Sequence, residues 1–243
     1  MKQQVLTFPN ITIAALFFLS AAIAATGQNK TTPRPGVAAT AASAQINGEN
    51  NPAAAVRYTY EFKQPQFQIP RFLIEHDAAG RGRISFERKH SSETFVEPVE
   101  LSADALKRIV LLWEALRFLD SDTKYQAEKE FPHQGTHGIS MQQDTRRRTA
   151  EFNWTHDRNA FLLISEYRRI ADQSLFVFDI NIARQSDPLS TPRLMKNLDT
   201  LLSRNGLSDP RQLVPLMRDL TTDERLPLIA RNHAERLLKK LNK

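Results

Sequence analysis

Three histidines stand close together in the middle of the chain, His133, His137 and His156, and imidazole is a common zinc ligand. A spacing of four residues would bring His133 and His137 onto one face of a helix, but Pro132, Gly135 and Gly138 oppose helix there. No Asp or Glu stands between them in the manner of a metallopeptidase helix. Loop and surface histidines are therefore the expectation, with a metal-dependent hydrolase kept as an alternative. Carboxylates gather at Asp120 and Asp122 and again at Glu128 and Glu130, where they could act as acid and base or bind calcium. The glycine and terminal glutamate of a calcium loop are missing at the required offsets, so these read as a solvated loop. None of the eight glycines belongs to a phosphate-cradling loop or a G-x-S-x-G elbow, and the chain has no cysteine. Disulfides, thiol catalysis and thiolate metal sites are excluded together. No catalytic, cofactor-binding or metal residue is assigned, and the protein is not expected to be an enzyme.

Two arginine groups could instead recognise an acidic partner or an anionic surface. Arg146-Arg147-Arg148 sits at a hairpin turn and is expected to be a solvated tip, and Arg168-Arg169 carries the same ambiguity on a helix. His233 falls on or beside the apolar face of the last helix and reads as a packing residue.

The elements that must position these side chains are legible from periodicity. Tyr58, Tyr60 and Phe62 alternate with Arg57, Thr59 and Glu61, which predicts a strand. A second strand is predicted over 67–76, interrupted by Pro70, and a third over 83–89; the turn between them carries Gly80 and Gly82. The segment 99–102 leads into a helix with Ser102 as N-cap, Asp104 in its first turn, and Leu106, Ile109, Val110, Trp113 and Leu116 as its packing stripe. Trp113 is read as core. A polar connection over 118–136 precedes a second hairpin, 138–142 and 148–154 around the turn 143–145. Asp157 should cap the next helix, which is expected to continue as helix through 175–183 because no turn signal intervenes, with a short strand there as the alternative. The tail is predicted helical in three pieces, started by Thr191-Pro192, by Ser208-Asp209-Pro210, and by a capping box over 221–224 whose start Pro227 should shift or kink.

The fold class expected is α+β: an antiparallel sheet of two hairpins plus an N-terminal strand with two packed helices (57–172), followed by a three-piece helical segment (173–243). Ahead of it stand a signal peptide (1–27) and a disordered linker (28–56). Lys2 precedes an apolar run over 11–24 that is short for a membrane span, and Ala24 and Gly27 each offer a cleavage point. The linker, rich in Thr, Pro, Ala and Asn, has too little apolar surface to offset its ordering entropy. Export to the periplasm or the extracellular medium is expected, without a transmembrane anchor after cleavage. A formal net charge of +6, without a dense cationic stripe carrying interleaved aromatics, argues against a nucleic-acid partner.

The segments GRGRISFERK (80–89), WEALRFLDS (113–121), RTAEFNW (148–154) and DERLPLIARNHAERLL (223–238) resemble those of a group of uncharacterised exported bacterial proteins. Over 73–170 the order hairpin, helix, connection, hairpin, helix is similar to the emfourin-like inhibitors of thermolysin-type metallopeptidases. That resemblance implies an exported peptidase as partner and transfers no functional residue. The expected function is a non-catalytic protein-binding module, with a metallopeptidase inhibitor and an envelope-associated scaffold as alternatives. The candidate recognition loops are 77–82, 118–136 and 146–148.

Overall fold

The computed structural model describes residues 56–242. The expected signal peptide, and the expected linker up to residue 55, lie outside the described residues. Strand β1 (Val56–Lys63) begins one residue earlier than the sequence suggests and buries Tyr58, Tyr60 and Phe62 on one face. β2 (Arg71–Asp77), β3 (Arg81–Glu87), β4 (Thr94–Glu100), β5 (Thr136–Gln143) and β6 (Arg146–Phe152) complete a six-stranded sheet in the order β4-β3-β2-β1-β5-β6. Every neighbouring pair is antiparallel. Phe72, Ile74, Ile84, Phe86, Ile139 and Phe152 extend the buried face. The opposite face carries a ladder of charges, in which Arg71 joins Glu61 on β1 to Glu87 on β3 and Arg83 pairs with Glu75.

Two features of the sheet correct the sequence reading. The second strand starts at Arg71 and not at Phe67, because Pro70 closes a loop whose carbonyl accepts a hydrogen bond from Gln64 N at 2.7 Å. β4 is an additional strand where the sequence suggests only a lead-in to a helix. Its pattern is weak because it lies at the sheet edge: only Val99 is fully buried, Val96 faces outward, and Pro98 is tolerated there.

The β2–β3 turn uses its two glycines differently. Gly80 has φ +77°, a conformation that L side chains rarely adopt. Gly82 is needed for closeness, since a Cβ there would stand 1.8 Å from the backbone oxygen of Glu75. Gly82→Ala must therefore push β3 away from β2, and is expected to cost about 3 kcal/mol, the upper part of the usual overpacking range. Chemical denaturation checks this; a midpoint equal to that of the parent protein would show that the strands part freely.

Helix α1 (Ala103–Leu116) starts as expected, with Ser102 Oγ accepting from Ala105 N at 3.2 Å, and ends where Arg117 turns left-handed at φ 46°. Its stripe packs on the sheet through Ile109 and Trp113. Helix α2 (Arg158–Ser186) is capped by Asp157, whose carboxylate accepts from Ala160 N at 2.9 Å. It runs unbroken through 175–183 and spans about 43 Å at 1.5 Å per residue. Its first half closes the sheet core with Leu163, Tyr167 and Ile170, and its second half enters another cluster with Phe176 and Ile180. Helices α3 (Thr191–Ser203), α4 (Val214–Thr222) and α5 (Leu228–Leu241) build that second cluster through Met195, Leu198, Met217, Ala234 and Leu237. Among the buried residues of α2 the changeover falls between Ala171 and Phe176, inside one continuous helix, while the half-buried Leu175 and Phe178 still pack on the sheet core.

Three helix starts differ from expectation. Asp209 caps a 3-10 turn over Pro210–Leu213, so α4 begins only at Val214. Thr191 is already helical and fully buried, and its Oγ1 donates to Pro188 O at 2.7 Å, because a 3-10 turn over Pro188–Ser190 feeds straight into α3. The capping box over 221–224 does not form: α4 continues through Thr222, and Pro227 delays α5 to Leu228. Asp223, freed from capping, instead accepts from Arg184 on α2 at 3.0 Å and from Arg225. No helix among the described residues is long and apolar enough to cross a membrane.

Candidate functional site

Several distant segments meet at one end of the sheet. The loop after β1, the entry to β5, the exit of β6 and the first turns of α2 surround an open pocket of about 460 Å³. One wall is apolar, made by Phe67, Trp154, Phe161 and Ile164. Phe67 and Phe161 remain 41% and 46% exposed, which is unusual for rings beside a well-filled core. Trp154 is held edge-on between Phe131 and Phe161, with ring centroids 5.3 and 6.5 Å away. The rim is fixed by a 3-10 turn over Pro132–Gln134, whose Pro132 carbonyl accepts from Gln64 Nε2 at 2.9 Å. Gly135 follows it at φ +92° and lies so close to Phe62 that a Cβ would meet the ring at 2.6 Å.

The other wall is polar. His137 projects from β5 onto the helix-covered face, is only 7% exposed, and packs against Phe62 and Phe152. Its Nδ1 lies 2.9 Å from the Tyr60 hydroxyl. Burial, reinforced by the positive charge of Arg168, lowers its pKa from 6.5 to about 4, so the ring is neutral at pH 7. Arg168 lies one residue after Tyr167 on α2 and stacks its guanidinium 4.4 Å from the centre of the Phe62 ring. Burial also raises the pKa of Tyr60, while the same guanidinium works against that rise.

The hydrogens follow from what each group can do. The Tyr60 hydroxyl is fully buried and His137 Nδ1 is its one hydrogen-bond partner among the described residues, so its proton has no other acceptor and goes to Nδ1. The imidazole must then carry its own hydrogen on Nε2, which makes no hydrogen bond to the protein among the described residues. Asn153 shows the same polarity: its Oδ1 accepts from Gln126 Nε2 and from Phe131 N, both at 3.1 Å, which leaves its amide hydrogens unused. The polar wall is thus rich in donors.

No family model matches the chain, and no curated protein does. What the pocket can bind must therefore be argued from its own chemistry.

The residues singled out by sequence land unevenly. His133 and His137 do share the pocket, but His137 is a buried strand residue and not a loop histidine, and His156 is exposed away from the pocket. Among the described residues no group of three or more His, Cys, Asp or Glu is placed to hold a metal ion. The arginine tip is not free: Arg146 pairs with Asp120 and donates to Leu119 O, while Arg148 donates to Phe118 O and Thr123 O, each at 2.7 Å. Arg148 also lies over the rings of Phe118 and Tyr125. Two of the three arginines therefore pin the connection over 118–136 against β6, and only Arg147 keeps the expected character, on the outer face of the sheet. Asp122, Glu128 and Glu130 are exposed, as a solvated loop requires. Arg168 and Arg169 divide, the first entering the pocket and the second pairing with the buried Glu166. His233 approaches Asp199 at 3.5 Å and is largely covered.

Phe67, Asn153 and Trp154 are site residues that sequence reasoning misses. Each is ordinary in its own segment, and the pairings of β1 with β5 and of β5 with β6 bring them together.

Proposed function

We propose that the protein is an exported, non-catalytic binding module that holds a segment of a partner polypeptide in the pocket between the end of β1, β5 and the start of α2. Export rests on the apolar run over 11–24 and the small residues that end it. The binding reading rests on one observation: exposed aromatic rings stand directly beside a wall of hydrogen-bond donors, in a concavity within the ~300–1,000 Å³ range of small-ligand sites. Such a pairing of apolar anchor and fixed polar groups is how a pocket recognises one residue of a peptide chain. The resemblance to emfourin-like inhibitors supports a narrower version, in which the partner is an exported metallopeptidase.

Selection of displayed peptides on the purified protein tests the reading. Enriched peptides are expected to bind the parent protein and to lose roughly tenfold or more in affinity to Trp154→Ala and to Phe161→Ala, since a truncated anchor typically costs ~2 kcal/mol. Both residues are partly exposed, so unchanged thermal unfolding of the variants would separate lost binding from lost folding. Enriched peptides that bind both variants as well as the parent would remove the pocket from the function.

A further inference from the structure

Among the described residues no carboxylate touches the donors on the polar wall. Arg168 makes no ion pair within 4 Å among the described residues; Asp172, one turn further along α2, feels its charge without touching it and approaches Arg204 at 3.5 Å. No Asp or Glu lines the pocket. Thr155 Oγ1 accepts from Asp157 N and Ser165 Oγ donates to Phe161 O, and among the described residues neither hydroxyl receives a hydrogen bond from Arg168, His137 or Asn153. Arg168, His137 and Asn153 thus line one concavity, and no anion among the described residues contacts the guanidinium, the Nε2 hydrogen or the amide.

We infer that the pocket takes the free C-terminal carboxylate of a polypeptide whose last residue is aromatic or large and aliphatic. The carboxylate would lie against Arg168, His137 and Asn153, and the terminal side chain against Trp154, Phe161 and Phe67. This rests on the peptide-binding reading and makes it specific. A terminal residue is the one place in a polypeptide where an unmodified carboxylate and an apolar side chain leave the same Cα. An internal Asp or Glu offers its carboxylate at the end of the side chain and nothing from that residue to the rings. A phosphorylated residue has the same defect and carries about two charges, which phosphate sites commonly meet with an arginine cluster and not a single guanidinium. Neutrality of His137 is compatible with the role, because its tautomer makes Nε2 a donor without adding a second buried charge.

Peptides Gly-Gly-Gly-Phe, Gly-Gly-Gly-Leu and Gly-Gly-Gly-Trp, each as free acid and as C-terminal amide, give the test with the unaltered protein. The chain has two tryptophans, so binding is read by NMR from the indole signal of Trp154, with the buried Trp113 as internal reference. The free acids are expected to shift Trp154 and leave Trp113 in place, and the amides to bind roughly tenfold more weakly or worse, the usual consequence of losing a charge-assisted contact. Phenylacetate, which has the same groups without a chain, is expected to bind more weakly than the acid peptides. Acid and amide binding equally at Trp154 would overturn the carboxylate assignment and leave the peptide-binding reading standing. Phenylacetate binding as tightly as the peptides would overturn the polypeptide source in favour of a small carboxylic acid. No shift of Trp154 by any probe at millimolar concentration would overturn the inference alone, while binding of selected peptides lost in Trp154→Ala would still carry the wider reading.

Discussion

Replacing Trp113 by alanine is expected to lower the unfolding temperature by roughly 10 °C or more, one of the largest effects of any single substitution in this chain. The indole is 2% exposed and stands where α1 meets both the sheet and α2. Its ring lies 4.8 Å from Phe118 and 5.6 Å from Tyr58, centre to centre, and its Nε1 meets Tyr167, so removal leaves a cavity bounded by residues of three separate segments. Truncation of a buried aromatic costs ~3–5 kcal/mol, and in a domain of this size each kcal/mol moves the midpoint by about 2–4 °C. A polar loss is added. Trp113 Nε1 donates to the Tyr167 hydroxyl at 3.1 Å, and that hydroxyl lies 2.9 Å from His76 Nε2. His76 Nδ1 is 2.8 Å from Asp77 O and must carry the hydrogen there, so Tyr167 donates to Nε2 while accepting from the indole. Trp113→Phe removes the donor and only part of the volume, and should fall between the two. Calorimetry on both variants checks the order; a loss below about 1 kcal/mol for alanine would mean that the site collapses without penalty and that α1 is held by other contacts.

How far the sequence reveals this molecule depends on whether a signal is local. The stripe of α1 and the caps at Ser102 and Asp157 are local and are read correctly, as is the helical run through 175–183, where alternation mimics a strand but no residue can start a turn. β4 escapes because an edge strand buries one residue in place of every second one. The capping box over 221–224 misleads because its residue types are right while Pro227, three residues on, forbids the helix they would begin. The arginines at 146–148 misread for a different reason: a run of like charges at a turn looks solvated until the connection over 118–136 folds back to offer carbonyls and rings. The pocket was the least legible part. Phe67 and Arg168 are about a hundred residues apart, and each alone has an ordinary reading as a loop residue or a surface cation. Only His137 carried a hint, as a histidine in register with the buried positions of a strand whose alternate residue is Ile139. Its burial makes a titratable group part of the core, and that has a consequence in solution.

Stability is expected to fall between pH 7 and pH 4, before the carboxylates are protonated, and His137 should account for most of the fall. In the unfolded chain this imidazole titrates near its ordinary value of 6.5; in the folded protein burial first, and the Arg168 charge second, hold it down to about 4. Between those values the unfolded state binds the proton and the folded state does not, so each step down in pH favours unfolding, and below about 4 the group adds no further loss. A shift of this size corresponds to about 3 kcal/mol. His76 acts in the same direction, its pKa lowered mainly by burial. Carboxylates work in a lower window. Asp223, Asp199, Asp77 and Glu61 are held below their ordinary values by hydrogen bonds and cationic neighbours, so their contribution is present above about pH 4 and disappears as pH falls further. Asp172, whose pKa burial raises, gains stability on protonation and opposes the trend slightly. The charged group that bears directly on the His137 ring is Arg168, whose guanidinium stays protonated throughout this range, so it cannot produce the slope itself. His137→Gln separates the contributions, because an amide can still meet the Tyr60 hydroxyl but does not titrate in this range. Urea denaturation at intervals from pH 7.5 to 4 is expected to show a steep slope in the parent and a much shallower one in the variant, whatever the variant loses at pH 7.5. Equal slopes would assign the acid response to His76 and place His137 outside the buried set, contrary to its position between Phe62 and Phe152.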